Sequence, residues 1–131
     1  MNNKKLIDKW LQRAASNLLL AKTGRTSNRI FYEDLCFNAQ QSVEKSLKSL
    51  FIYFNIKIPK SHNIGYLLEK IEIDADLTIP QSIKQATYLT EYSVQSRYPG
   101  DYYPLEEDDY LEAITIAEEV LAWVKDILDK Q

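Results

Sequence analysis

The chain has 131 residues, near the commonest size of a single domain and long enough to bury a core without disulfides or metal ions. Hydrophobic residues make up 45% and charged residues 27%, which excludes a disordered chain. The net charge of −3 gives no global attraction to nucleic acid, so any RNA or nucleotide contact needs a local basic cluster.

Two features indicate the compartment. The segment 1–10 carries lysines but lacks the apolar stretch and cleavage site of a signal peptide, and no segment approaches the roughly 18 consecutive apolar residues of a membrane span. The single cysteine, Cys36, cannot form an internal disulfide and fits a core position in a reducing compartment. We therefore expect a cytoplasmic protein.

Apolar residues recur at three- and four-residue steps through most of the chain, which predicts four longer helices and one short one. Gly24 is placed to end the first helix, and Pro99 with Gly100 to end the fourth. Acidic residues at 106–109 suit the positive end of the last helix. The predicted ranges are 4–23, 32–54, 64–72, 80–97 and 106–130.

Each long helix carries one apolar stripe that must be buried. The first stripe is Leu6, Trp10, Ala14, Leu18 and Ala21. The second is Cys36, Ala39, Val43, Leu47, Leu50, Phe51 and Phe54, and the last is Tyr110, Ala113, Ile114, Ala117, Val120, Leu121, Val124, Ile127 and Leu128. Amphipathic helices with modest connectors pack as a bundle. The predicted fold is all-α, an up-and-down four-helix bundle with one additional short helix, as a single domain over residues 1–131.

Three separated motifs then follow one another in a specific order. The predicted second helix has an aromatic residue and Ala-Gln-Gln at 37–41, followed by Glu-Lys and Leu-Lys at 44–48. A Pro and a His-Asn pair follow at 59–63, and Arg-Tyr-Pro stands at 97–99. In these motifs the chain resembles the HEPN domain, in the branch that carries Arg-Tyr-Pro.

The resemblance implies partners as well as a fold. HEPN proteins form homodimers and are often paired with small nucleotidyltransferases in toxin–antitoxin-like modules. Some carry a tyrosine that the partner modifies with AMP, and here Tyr98, Tyr102 and Tyr103 are candidates by location alone. The resemblance thus implies a homodimer with a nucleotidyltransferase partner and a nucleotide or RNA ligand.

The chain departs from the HEPN ribonucleases at their motif, an arginine followed four to six residues later by a histidine. Arg97 has no histidine after it. Without an imidazole, the proton transfers that begin attack by the ribose 2′-hydroxyl lose their usual carrier. We therefore expect no catalytic residue and lean against an enzyme.

The break before the last helix remains a candidate binding site, because Arg97, Tyr98, Asp101 and Tyr102 combine a cation, a carboxylate and two phenols. Arginine suits phosphate, and tyrosine faces suit stacking on a base. The alternative is structural: Arg97 pairs with Asp101 or a helix carbonyl, and the tyrosines pack against the end of the bundle.

The second helix offers further polar candidates. Gln40 falls inside the apolar face, so its amide needs partners there. Glu44 and Lys48, spaced i and i+4, are interpreted as a surface pair worth tenths of a kcal/mol. In the alternative, Gln41, Lys45 and Lys48 flank a groove that binds phosphate.

His62 is the only histidine, which excludes a His-rich metal site within one chain, and no metal or cofactor is expected. Its place before the third helix favours a capping or loop-pinning role. The alternative is a ligand-binding role toward phosphate or a general base.

Three functions remain open. The first is a non-catalytic HEPN homodimer that binds a nucleotide, RNA or a partner. The second is a metal-independent ribonuclease in which His62 or a tyrosine replaces the missing histidine. The third is a structural subunit that stabilises a neighbouring transferase. None of them requires a membrane or DNA.

Overall fold

The computed structural model describes residues 3–90 and 105–130, which are helical and contain no strand. The all-α bundle is confirmed. No helix in these two ranges is long and apolar enough to cross a membrane. The elements are α1 (Asn3–Lys22), α2 (Tyr32–Tyr53), α3 (Ile64–Asp74), α4 (Gln81–Lys84), a 3-10 helix (Gln85–Leu89) and α5 (Glu107–Asp129).

Helix α2 is the centre of the bundle and packs against α1, α3, the 3-10 helix and α5. Its predicted stripe is confirmed except at Phe54, which lies just beyond the helix and is half-buried. The fully buried members are Cys36, Ala39, Val43, Leu47, Leu50 and Phe51.

The helix ends follow local rules. Gly24 has φ +74° and ends α1 in the left-handed conformation that glycine tolerates best. At the end of α2, Asn55 takes φ +58°, and the Ile56 amide donates to the Phe51 carbonyl at 2.8 Å. The Asn63 side chain caps α3 by accepting from the Tyr66 amide. The short loops are therefore set by their own sequences.

The fourth predicted helix is not continuous. After one turn of α4 the chain tightens into the 3-10 helix. Ile83 of α4 and Ala86 and Leu89 of the 3-10 helix are buried at three-residue steps. That spacing matches a helix with three residues per turn. Close packing holds the turn in place, because a Cβ on Gly65 of α3 would lie 2.8 Å from a methyl carbon of Thr87. The predicted part after residue 90 lies outside the described ranges.

Two other stripes need correction. In α1 the buried face contains Ile7, whereas Leu6 is exposed, so the face is rotated by about one residue at this end. In α5 Ile116 is buried although the predicted stripe omits it, while Ile114 is only half-buried. Both differences change which residues are buried, and the predicted helices themselves are confirmed.

Helices α1 and α2 pack closely because small side chains line their contact. Ala14, Ala39 and Ser46 are fully buried. The Ser42 hydroxyl donates to the Ala14 carbonyl at 2.8 Å. This bond fixes the register of the two helices and sets the 13–17 turn of α1 opposite the middle of α2.

Tyr110 joins α5 to the end of α1. Its hydroxyl donates to the Ala21 carbonyl at 2.6 Å, and its ring centroid lies 5.5 Å from that of Tyr32. Burial raises the pKa of the Tyr110 phenol, which keeps it a donor. The carbonyl it meets is one of the last four of α1, which no amide within the helix can satisfy.

We predict that Tyr110→Phe lowers the free energy of unfolding by about 1 kcal/mol and Tm by about 3 to 5 °C, because one hydrogen bond to a helix carbonyl is lost. Tyr88→Phe is the matched control, since that ring is two-thirds exposed. Thermal unfolding followed by circular dichroism measures both, and equal Tm values for the two variants would contradict the assignment.

Candidate functional site

The predicted break before the last helix cannot be placed. Arg97, Tyr98, Asp101 and Tyr102 all lie outside the described residues, as does Tyr103. Their role stays a prediction.

The other four predicted site residues lie along α2 and the loop before α3, and two of them converge on one acidic side chain. Glu44 is buried, with 3% of its side chain exposed. Lys48 Nζ lies 3.0 Å from Glu44 Oε2, and His62 Nδ1 lies 2.9 and 3.0 Å from the two carboxylate oxygens. Glu44 is thus the centre of the site, although the sequence pattern assigned it only a surface role.

The side-chain amides of Gln40 and Gln41 extend the hydrogen-bond network of Glu44. Gln40 is fully buried; its Nε2 donates to Glu44 Oε1 at 3.0 Å, and its Oε1 accepts from Gln41 Nε2 at 2.9 Å. The prediction that Gln40 finds polar partners within the apolar face is confirmed. We call Gln40, Gln41, Glu44, Lys48 and His62 the Glu44 cluster.

The interpretation of Glu44 and Lys48 as a surface pair is wrong. Their i, i+4 spacing is as predicted, but only 16% of the Lys48 side chain is exposed and its ammonium lies 5.5 Å from the ring centroid of Trp10. Helix α1 covers one side of the pair through Trp10, and the loop that carries His62 covers another. The carboxylate therefore needs several donors at once, because a buried charge is costly unless it is fully hydrogen-bonded.

His62 combines a fixed ring with an open face. Because a carboxylate only accepts hydrogen bonds, Nδ1 must carry the proton that Glu44 accepts. The imidazole is nevertheless 68% exposed. This geometry agrees with the predicted loop-pinning role, and the same bond orients the free edge of the ring toward solvent.

Lys45 points away from the cluster and toward α1. Its Nζ donates to Asn17 Oδ1 at 2.7 Å, and Asn17 Nδ2 donates to Asn38 Oδ1 at 3.0 Å. Burial lowers the pKa of Lys45, and the positive charge of Arg13 lowers it further. A cation on α1 therefore acts electrostatically on a cation on α2.

Sequence reasoning missed the roles of Glu44, Asn17 and Arg13. A signal existed for Glu44, since it stands one turn after Gln40 on the face that must be buried. No signal existed for Asn17 or Arg13, because their contacts depend on the register between α1 and α2.

Cys36 carries no chemistry in this structure. It is fully buried, and desolvation together with the nearby charge of Asp109 raises its pKa to about 12. A thiol with that pKa is almost entirely protonated at neutral pH and is a poor nucleophile. Its predicted place in the core is confirmed.

We predict that Glu44→Gln lowers the free energy of unfolding by about 2 kcal/mol, because hydrogen bonds to a charged group are replaced by weaker neutral ones. Glu119→Gln is the control, since Glu119 is exposed on α5. Urea denaturation measures both variants. A loss for Glu44→Gln no larger than that of the control would mean that the carboxylate does not organise the cluster.

We also predict that Arg13→Gln raises the pKa of Lys45 but leaves it below its ordinary value, because burial is the larger cause of the shift. Titration of the Lys45 ε-carbon by NMR measures the change. Arg29→Gln is the control, since Arg29 lies in the loop before α2, about 20 Å along the helix from Lys45. If the pKa of Lys45 is the same in Arg13→Gln as in wild type, the two cations do not interact.

Comparison with known proteins places the chain in a family. The family model described as HEPN domain matches residues 7–127. A protein of Methanocaldococcus jannaschii with the name "Putative toxin MJ1304" is 32% identical, and the match covers 93% of this chain and 88% of that protein.

Two crystal structures have the same fold. ST0689, described as an archaeal HEPN homologue, superposes with a TM-score of 0.73 at 32% identity, covering 92% of this chain and 95% of that one. TT1696 from Thermus thermophilus superposes with a TM-score of 0.74 at 26% identity, covering 92% and 96%. The family model, the archaeal relative and the first of these structures agree, and this chain belongs to the HEPN domain family.

Proposed function

We propose that the protein is a non-catalytic HEPN homodimer that binds the phosphate of a nucleotide or RNA beside the Glu44 cluster. We further propose that it acts with a small nucleotidyltransferase in a toxin–antitoxin-like module. The partner and the dimer rest on what the family resemblance implies. The toxin-like setting is supported by the name of the archaeal relative.

One observation carries the ligand proposal: the exposed imidazole of His62 is held at 2.9 Å by a buried carboxylate. A surface side chain normally loses rotamer freedom when it binds, which weakens affinity. Here the Glu44 bond has already fixed the ring, so binding costs little ordering. When protonated, the ring donates from Nδ1 to Glu44 and from Nε2 to a phosphate oxygen.

The neighbours of His62 suit the same ligand. Lys48 provides an ammonium with three N–H donors, and Glu44 accepts from one of them. Gln41 uses its amide nitrogen on Gln40, and its carboxamide oxygen is an acceptor that suits a sugar hydroxyl or a base. The cluster thus combines donors for phosphate with an acceptor for the rest of a nucleotide.

We predict that His62→Ala weakens binding of fluorescent mononucleotides or short RNAs by about 10- to 100-fold, the equivalent of one charge-assisted hydrogen bond. Fluorescence anisotropy measures the affinity. Lys125→Gln, an exposed cation on α5, is the control for nonspecific charge. An Arg97→Ala arm tests the predicted break, which the cluster does not include.

If wild type does not bind, or if wild type and His62→Ala bind with the same affinity, the ligand proposal at the Glu44 cluster is wrong. If His62→Ala binds like wild type and only Arg97→Ala loses affinity, the ligand binds at the break before the last helix.

A ribonuclease with a divergent site is the second candidate, and the Glu44–His62 pair is the observation that favours it. A carboxylate that orients an imidazole through Nδ1 leaves Nε2 able to take a proton, as in a general base. Incubation of the pure protein with RNA tests this candidate. Cleavage that persists in both His62→Ala and Arg97→Ala would point to a contaminating nuclease.

A further inference from the structure

Outside the Glu44 cluster, the register of α1 and α2 places a cation of one helix opposite a cation of the other. Arg13 stands one turn before Asn17 on α1, and Asn17 accepts from Lys45 on α2 at 2.7 Å. The Ser42 bond to the Ala14 carbonyl fixes these two turns opposite each other. Trp10, three residues before Arg13, lies over Lys48. The exposed Arg13 therefore stands on the turn of α1 that faces Lys45.

The charges of this pair are not balanced by a bound carboxylate in the described structure. Within residues 3–90 and 105–130, neither Arg13 nor Lys45 forms an ion pair. The carboxylate next to Lys45 in the chain, Glu44, is already bound to Lys48, His62 and Gln40. Like charges brought together in this way cost free energy, which an anion between them would recover.

The Lys45 donors of this pair are preorganised. Asn17 takes one of the three N–H donors of Lys45 and is itself held by Asn38, whose Nδ2 donates to the Asp34 carbonyl at 3.3 Å. The ammonium has two further donors, and the Arg13 guanidinium offers a planar fork that fits phosphate in a bidentate manner. Asn17 is a positioning residue in this arrangement.

The pair adjoins the Glu44 cluster along the same helix. Lys45 of the pair and Lys48 of the cluster are three residues apart on α2, which is about 5 Å along the helix axis. A single phosphate at His62 would leave Arg13 and Lys45 without a ligand. A ligand with two linked phosphates could place one at His62 and the other at Lys45.

We propose that Arg13 and Lys45 form a second phosphate subsite, so that the ligand carries at least two linked phosphate groups. The inference rests on the proposed function, which requires only one phosphate. Two sources share this chemistry: a nucleoside di- or triphosphate, and a short RNA with consecutive phosphates.

The test compares ligands that differ only in phosphate number. AMP, ADP and ATP form one series, and a four-nucleotide RNA with and without a 5′-phosphate forms the other. Each is titrated calorimetrically against wild type, Arg13→Gln, Lys45→Gln and the control Arg29→Gln. Arg13→Lys tests whether charge alone suffices, and circular dichroism confirms that each variant is folded.

We expect ADP to bind wild type at least about tenfold more tightly than AMP, and Arg13→Gln to remove that difference while AMP affinity stays within about twofold. A dependence on Arg13 in the RNA series alone would support the subsite and name RNA as the source. If ligands bind but phosphate number has no effect, or Arg13→Gln weakens every ligand equally, the second subsite is wrong and the proposed function stands. If none of these ligands binds wild type, the proposed function fails, and the subsite fails with it.

Discussion

The burial of one carboxylate organises the polar side of this bundle. Glu44 is on the central helix, and a charge there is stable only if donors surround it. Gln40, Lys48 and His62 supply those donors from the same helix and from the loop before α3. The requirement explains why the loop before α3 meets α2 at His62, and why an exposed imidazole has a fixed orientation.

The close contact of α1 and α2 decides what surrounds that carboxylate. Buried serines and alanines on α2 let the helices approach, and the bond from Ser42 to the Ala14 carbonyl sets their register. With that register, Trp10 covers Lys48 and Asn17 meets Lys45. Shifting one helix by a turn would leave α2 amphipathic but would separate these partners.

Local signals in the sequence are enough for most helix ends, since glycine at position 24 and asparagine at 63 act through their own backbone or side chain. They are also enough for the burial of Gln40. The change from α4 to the 3-10 helix is harder to predict, because Ala86 and Leu89 fit a helix of either kind. The sequence does not reveal the close packing of this turn against Gly65 of α3. Glu44 was misjudged because an i, i+4 pair looks the same on a buried face and an exposed one. Its place one turn after Gln40 was the signal that distinguishes the two cases. Arg97 and its neighbours were the main candidate site in the sequence. They lie outside the described residues, so their role stays a prediction.

The burial of Glu44 also explains why Lys45 and Lys48 have different partners. Both extend from one helix three residues apart, yet Lys48 turns to Glu44 and has its charge balanced, whereas Lys45 turns to Asn17, a neutral acceptor, beside Arg13. Glu44 already accepts from Lys48, His62 and Gln40, and no carboxylate of the described residues forms an ion pair with Lys45. The charge of Lys45 is therefore left over on the α1 side. That surplus is local, since the whole chain carries −3, and a local surplus is what an acidic protein needs in order to attract a phosphate to one place on its surface.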